Sequence, residues 1–345
     1  MPTLNRQHQK YWLTLLLLAV AGLILHLSVW STPAHELRDE DIYYIWLEGK
    51  RIVAGENPYA RVLVGDMRAN DKYATYFPLT YLFSALVQRL GIAGFSGWLY
   101  LWRPLSLGFH LGLVALTLRY FFQRSLWVFG FVAAAILLLG RWSLYVARVH
   151  QLEFAAIFFL VVSLVWLRAA TGRSLLAFSV SLGIKQVAIF LLPLYLIHLW
   201  TGGNQGKRTR AMLYGLCVIL SVPVLTSLPF LVWNAEGFAK SILFSATRLG
   251  SSHIEAAPSL DVFWSQTWPW LIGLRAKLPM LGLMGLTYLS FWREKIGILT
   301  AAAVVMLVFL YFNSVLFLQY FLWPLSLSLL ALVEQVPPHL PQRQP

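Results

Sequence analysis

The chain has 345 residues, 59% of them hydrophobic and only 12% charged, with a formal net charge of +13. Soluble proteins carry about 25% charged residues, and a soluble chain this apolar would expose large greasy patches, so composition excludes that class and points to an all-α polytopic membrane protein. Lys and Arg sit in short clusters between apolar runs, as in cytoplasmic loops, rather than on one face, which argues against a nucleic-acid partner.

The N-terminus reads NRQHQK and then YWLTLLLLAVAGLILHLSVW. This apolar run is long enough to cross a bilayer and exceeds the core of a signal peptide. It predicts an uncleaved helix with a cytoplasmic N-terminus.

Apolar length then predicts about ten spans: 11–30, 98–121, 126–140, 152–167, 174–186, 187–200, 211–233, 278–292, 296–312 and 317–333. Counting from a cytoplasmic N-terminus, the short inner turns hold Arg119 and Arg124, Arg168 and Arg173, Lys207 with Arg208 and Arg210, and Arg293 with Lys295. Each carries at least two basic residues, as the positive-inside rule requires. This holds only if 74–91 does not cross, so it is read as an interfacial or partly re-entrant helix. The segments 174–186 and 187–200 meet at Lys185 and Gln186. A lysine deep in a bilayer is costly, so a helix break opening on a wet crevice is expected there. Both termini are then cytoplasmic, and the tail PPHLPQRQP reads as disordered. The single Cys217 permits no internal disulfide.

The first outer loop, 31–97, holds Glu36, Asp39, Glu40, Asp41, Glu48, Glu56, Asp66 and Asp71, eight of the chain's 14 acidic residues. Within it, 40–54 predicts an amphipathic helix lying along the membrane surface, closed by Gly55 and a turn at ENPY. Asp39 or Glu40 would cap its start and favour the helix dipole. Taken singly, these acids read as a capped and solvated helix face. Further along, Arg141, Tyr145, Arg148 and Leu152 follow helical spacing, which puts Arg141 and Arg148 on one face, while His150 and Glu153 are near enough to interact. They form either a salt-bridged rim or an anion site. The acid-rich loop also offers oxygen ligands to Mg²⁺ or Mn²⁺, although no metal site is assigned. The second outer loop, 234–266, holds Arg248, His253, Glu255 and Asp261, and its polar part, 245–263, reads equally as a lid over the donor or as a connection.

The run DIYYIWLEGKRIVAGENPY resembles the first outer loop of glycosyltransferase C enzymes, and is most similar to family 87, the polyprenol-phosphate-mannose-type enzymes. Asp41, Tyr43, Tyr44, Gly55, Pro58 and Tyr59 carry the likeness. YFPLTYL (76–82) resembles the segment that follows, with Phe77 in place of a proline, and SLGIKQVAIFLLPLYL (181–196) resembles the family's lysine-containing helix break through Lys185 and Pro193. The resemblance implies a conserved-type module over 1–233, an outer loop at 234–266 and C-terminal helices with a tail over 267–345. It implies transfer of a mannose-like hexose or pentose, with inversion, from a polyprenyl-phosphate donor to a hydroxyl of a glycan or lipid acceptor.

In that reading Asp41 is the general base, with Asp39 and Glu40 as rivals. Lys185, Arg248, Arg141 and Arg148 face the donor phosphate, and Tyr43, Tyr44, Glu40, His150, Gln151, Tyr59 and His253 line the sugar and acceptor. The expected location is the plasma (inner) membrane, with the site on the outer or periplasmic face. Two other readings stand beside it: a transporter or lipid flippase, and a lipid-linked glycan ligase or polymerase.

Overall fold

A computed structural model describes residues 2–65, 74–202, 205–247, 259–271, 273–313 and 316–336. Among these residues every regular element is a helix. Three helices are long and apolar enough to cross a membrane: the His8–Val29 part of α1 (Pro2–Val29), α4 (Phe95–Phe122) and α10 (Arg208–Trp233). A fourth crossing is available if α5 (Trp127–Leu139) and α6 (Arg141–Val149), which bend by 42° at Gly140, act as one.

Each of the other predicted spans is helical but short. They are α7 (Glu153–Trp166), α8 (Thr171–Ile184), a 3₁₀ turn Gln186–Leu191 leading into α9 (Leu192–Gly202), α13 (Leu278–Trp292), α14 (Ile298–Phe312) and α15 (Leu322–Gln335). At 1.5 Å per residue, 14 residues reach about 21 Å, short of the hydrocarbon thickness of about 30 Å.

The apolar surface pattern fits a lipid-facing belt. Trp12 and Ile24 on α1 are 61% and 63% exposed, and Val232 on α10 is 82% exposed. Inside, α7 packs on α8 and α4, and α8 packs on α10. Buried serines punctuate these contacts: the Ser163 hydroxyl bonds that of Tyr195 on α9 at 2.7 Å, the Ser174 hydroxyl donates to the Ser163 carbonyl at 2.8 Å, and the Ser181 hydroxyl donates to the Ala156 carbonyl at 2.7 Å. Phe178 stacks on Tyr195 with centroids 4.1 Å apart.

The segment 31–97 folds much as its periodicity predicts. Helix α2 runs Asp41–Val53 and buries Ile42, Ile45 and Trp46. Gly55, at φ +80°, then takes the left-handed conformation that ends the segment. The segment 74–91 contains only α3 (Leu79–Arg89), 11 residues, too short to cross and packed instead against α2. Gln88 donates to the Trp46 carbonyl at 2.9 Å, and the Trp46 indole donates to the Ala93 carbonyl at 3.0 Å. Glu48, fully buried on α2, accepts from Arg51 at 2.8 Å and from Arg61 at 3.2 Å, which ties α2 to the 3₁₀ turn Pro58–Leu63. Burial raises the Glu48 pKa, and the two guanidiniums oppose that rise.

Two expectations are corrected. Glu40 occupies the N-cap of α2 but supplies no side-chain capping hydrogen bond, and its carboxylate turns to Gln151 instead. Helix α6 ends at Val149 because His150 adopts φ 54°, ψ 37°, so the helical spacing does not reach Leu152.

Helices α2 and α3 touch closely at Gly49, where an added Cβ would lie 2.6 Å from Ser84 Cβ and 2.9 Å from the Ala85 nitrogen. Gly49→Ala is expected to cost about 1–3 kcal/mol by overpacking, read as a lowered unfolding midpoint in detergent. An unchanged midpoint would contradict this packing.

Candidate functional site

The chemistry-bearing side chains meet where α8 breaks. Lys185 has extended backbone (φ −147°, ψ 116°) between α8 and the following 3₁₀ turn. Its ammonium, 1% exposed, pairs with Glu153, fully buried in the first turn of α7. The expected break is present, but it does not open on a crevice: Lys185 is buried, and its partner is a carboxylate from 32 residues earlier. Glu153 therefore faces Lys185 and makes no bond to His150; the left-handed turn at His150 sends the two side chains apart.

Tyr76 joins this pair to Asp41. The Lys185 ammonium lies 5.4 Å from the Tyr76 ring centroid and 5.2 Å from that of Tyr320, a cation–π arrangement. The Tyr76 hydroxyl donates to Asp41 Oδ2 at 2.8 Å. Asp41 is half-buried at the first position of α2, within coulombic range of Lys185 and Glu153.

Tyr76 is itself fixed through its backbone. Its carbonyl accepts from the Tyr59 hydroxyl at 2.7 Å, and its N–H donates to the Tyr81 hydroxyl at 3.3 Å. Next door, Gln186 donates to the Thr75 carbonyl at 2.5 Å. Burial, then the Asp41 charge, pushes the Tyr76 phenol well above its ordinary value of 10.0. The phenol thus keeps its proton throughout the working pH range. Its contribution is present below pH 10 and is lost only as pH rises through the folded-state value.

The remaining predicted site residues distribute as follows. Glu40 accepts from Gln151 Nε2 at 3.2 Å, which joins the start of α2 to the turn before α7. Tyr44 is half-buried, with its phenol raised by burial first and by Asp39 next. Tyr43 packs among Tyr44, Trp46 and Phe95, a structural setting. Tyr59 is fully buried against Phe230 and Phe238, so it holds Tyr76 rather than meeting solvent. Arg141 and Arg148 are exposed on α6, with Arg141 5.2 Å from the Trp142 ring centroid. Arg248 and His253 lie outside the described residues.

Sequence reasoning assigned no role to Tyr76, Arg103, His26 and His110. Arg103 sits within the predicted span 98–121, and an arginine inside an apolar run was itself the signal. Its Nε donates to His150 Nε2 at 3.2 Å and its Nη2 to the Thr32 carbonyl at 2.6 Å. Among the described residues, no three His, Cys, Asp or Glu side chains are grouped to hold a metal ion. An apolar groove of about 350 Å³, lined by Leu196, Trp200, Met212, Tyr288 and Trp292, has no charged lining residue and shares none with the Asp41 cluster. No protein-family model, curated protein or solved structure matches the chain.

Removing one partner of a buried ion pair leaves an uncompensated charge and costs about 3–5 kcal/mol. Lys185→Met is expected to lose that much in mixed-micelle unfolding, while Lys185→Met with Glu153→Gln recovers most of it. Equal losses in the single and double variants would contradict the pairing.

Proposed function

We propose that this protein is a membrane glycosyltransferase of the glycosyltransferase C kind, with Asp41 as general base. The observation that carries the reading is a half-buried carboxylate, oriented by the hydroxyl of the half-buried Tyr76 and set beside a buried Lys–Glu pair. Perturbed, desolvated ionisable groups around one oriented acid are what acid–base chemistry needs.

In this mechanism an acceptor hydroxyl sits against Asp41. Its oxygen bonds to the anomeric carbon of the sugar as its proton passes to the Asp41 carboxylate. The bond from that carbon to the phosphate oxygen breaks, and the electron pair leaves on the lipid phosphate. Tyr76 holds the base in place. Lys185 is neutralised by Glu153, so it shapes the field around Asp41 rather than gripping the phosphate. The exposed Arg141 and Arg148 on α6 are the cations that meet the phosphate, with Arg248 a further one by its sequence position.

The finer topology belongs to the same proposal. Ten spans from a cytoplasmic N-terminus place 31–97 outside, over a donor held in the plasma membrane with its lipid tail in the bilayer. The short helices α7, α8, α13, α14 and α15, and α9 together with the 3₁₀ turn that precedes it, then cross as members of a packed bundle. A mannose-like hexose or pentose goes to a glycan or lipid acceptor.

A second reading, a transporter, draws support from the buried pair at a helix break, the setting in which transporters bind ions. Reconstitution with labelled polyprenyl-phosphate sugars and candidate acceptors separates the two. A new glycosidic bond, formed without a gradient, supports the transferase; vectorial movement without one supports transport. Asp41→Asn is expected to lower transfer about 10²–10⁴-fold with insertion intact, and Tyr76→Phe less severely. Full activity in Asp41→Asn would sink the assignment.

A further inference from the structure

A second polar seam runs through the bundle, between helices that elsewhere pack through apolar side chains. His110 on α4 is fully buried and stacks on Phe154 with centroids 3.9 Å apart. Its Nε2 lies 2.9 Å from the Leu137 carbonyl, and its Nδ1 lies 2.9 Å from His26 Nε2 on α1. A carbonyl only accepts, so His110 Nε2 carries a proton. A neutral His110 then accepts at Nδ1, and His26 Nε2 is the donor. A doubly protonated His110 would be a buried cation with no carboxylate beside it, a costly state. His26 Nδ1 is therefore left as a bare acceptor, and it has no partner among the described residues.

The other end of the seam leaves the opposite deficit. Arg103 Nε–H donates to His150 Nε2, so that nitrogen carries no proton. Neutral His150 must carry it on Nδ1, and this donor also has no partner among the described residues. The two orphans are complementary: His26 lacks a donor and His150 lacks an acceptor.

Arg103 and His110, which hold these imidazoles, lie seven residues apart on one face of α4. Between them on that face is Ser106, 1% exposed, whose hydroxyl also has no partner among the described residues. Helices α1 and α6 touch one another alongside α4, and His26 and His150 lie within coulombic range.

We propose that His26 Nδ1, His150 Nδ1–H and the Ser106 hydroxyl form a binding site for a buried water. The water accepts from His150, donates to His26 and takes its third bond from Ser106, the usual complement for an internal water. The nearby Arg103 guanidinium disfavours a cation there and the bare acceptor His26 Nδ1 disfavours an anion, so the ligand is neutral. With the water in place, hydrogen bonds run one way, from Arg103 through His150, the water, His26 and His110 to the Leu137 carbonyl. That carbonyl lies in the last turn of α5, where intrahelical donors run out. The seam thus ties the last turn of α5, at Leu137, to the end of α6, at His150, one residue before the Gln151 that reaches Glu40.

The test uses the full chain in lipid nanodiscs with ¹⁵N-labelled histidine. Imidazole ¹⁵N shifts, assigned by single His→Gln variants, report which nitrogen is protonated. The expected result is Nδ1–H at His150, Nε2–H at His26 and His110, and a water cross-peak to His150 Nδ1–H. Ser106→Val replaces the hydroxyl with two methyls, and is expected to lose that cross-peak while the protein keeps its elution profile. A proton on Nε2 of His150, or no water contact in the wild type, overturns the site. A cross-peak that persists unchanged in Ser106→Val overturns the three-partner arrangement.

Discussion

A lysine and a glutamate buried side by side stand at the centre of this molecule. Lys185 interrupts α8 with one extended residue, and Glu153 opens α7 beside it. Each charge alone would cost several kcal/mol to bury. Together they permit a helix to break inside an apolar bundle, and the break is what brings polar backbone and side chains to this depth. Gln186, the next residue, uses the opening to hold Thr75, and so delivers Tyr76 to the lysine.

Helices α2 and α3 depend on that delivery. Helix α2 is fastened from three sides: by α3 at Gly49 and Gln88, by Arg61 through Glu48, and by Gln151 through Glu40. Its first residue is Asp41, so every one of these contacts acts on the position of one carboxylate. The tyrosines divide the work. Tyr59 and Tyr81 hold the Tyr76 backbone, and the Tyr76 hydroxyl orients the acid.

The local pattern of the chain was readable; the pairings across it were not. Amphipathic spacing over 40–54 found α2 nearly to its ends, because the apolar face and Gly55 both act locally. The break at Lys185 was legible for the same reason: a charge interrupts an apolar run. Its partner was not, since Glu153 lies 32 residues away and no periodicity links them. Spacing also misread His150, where a left-handed residue ends α6 and removes the i, i+3 relation to Glu153. Arg103, His26 and His110 each showed as a polar residue in an apolar run, yet only tertiary packing brings them into one seam. The helices after α10 show the limit of length arguments: α13, α14 and α15 are apolar but short.

The central claim is that the Asp41 cluster receives a sugar carried on a lipid phosphate. The most direct measurement is a cryo-EM structure in nanodiscs with a non-transferable polyprenyl-phosphonate sugar. The account predicts sugar density in contact with the Asp41 carboxylate, and phosphonate density within reach of Arg141 or Arg148. Density for the headgroup elsewhere, with the Asp41 cluster unchanged, would contradict it.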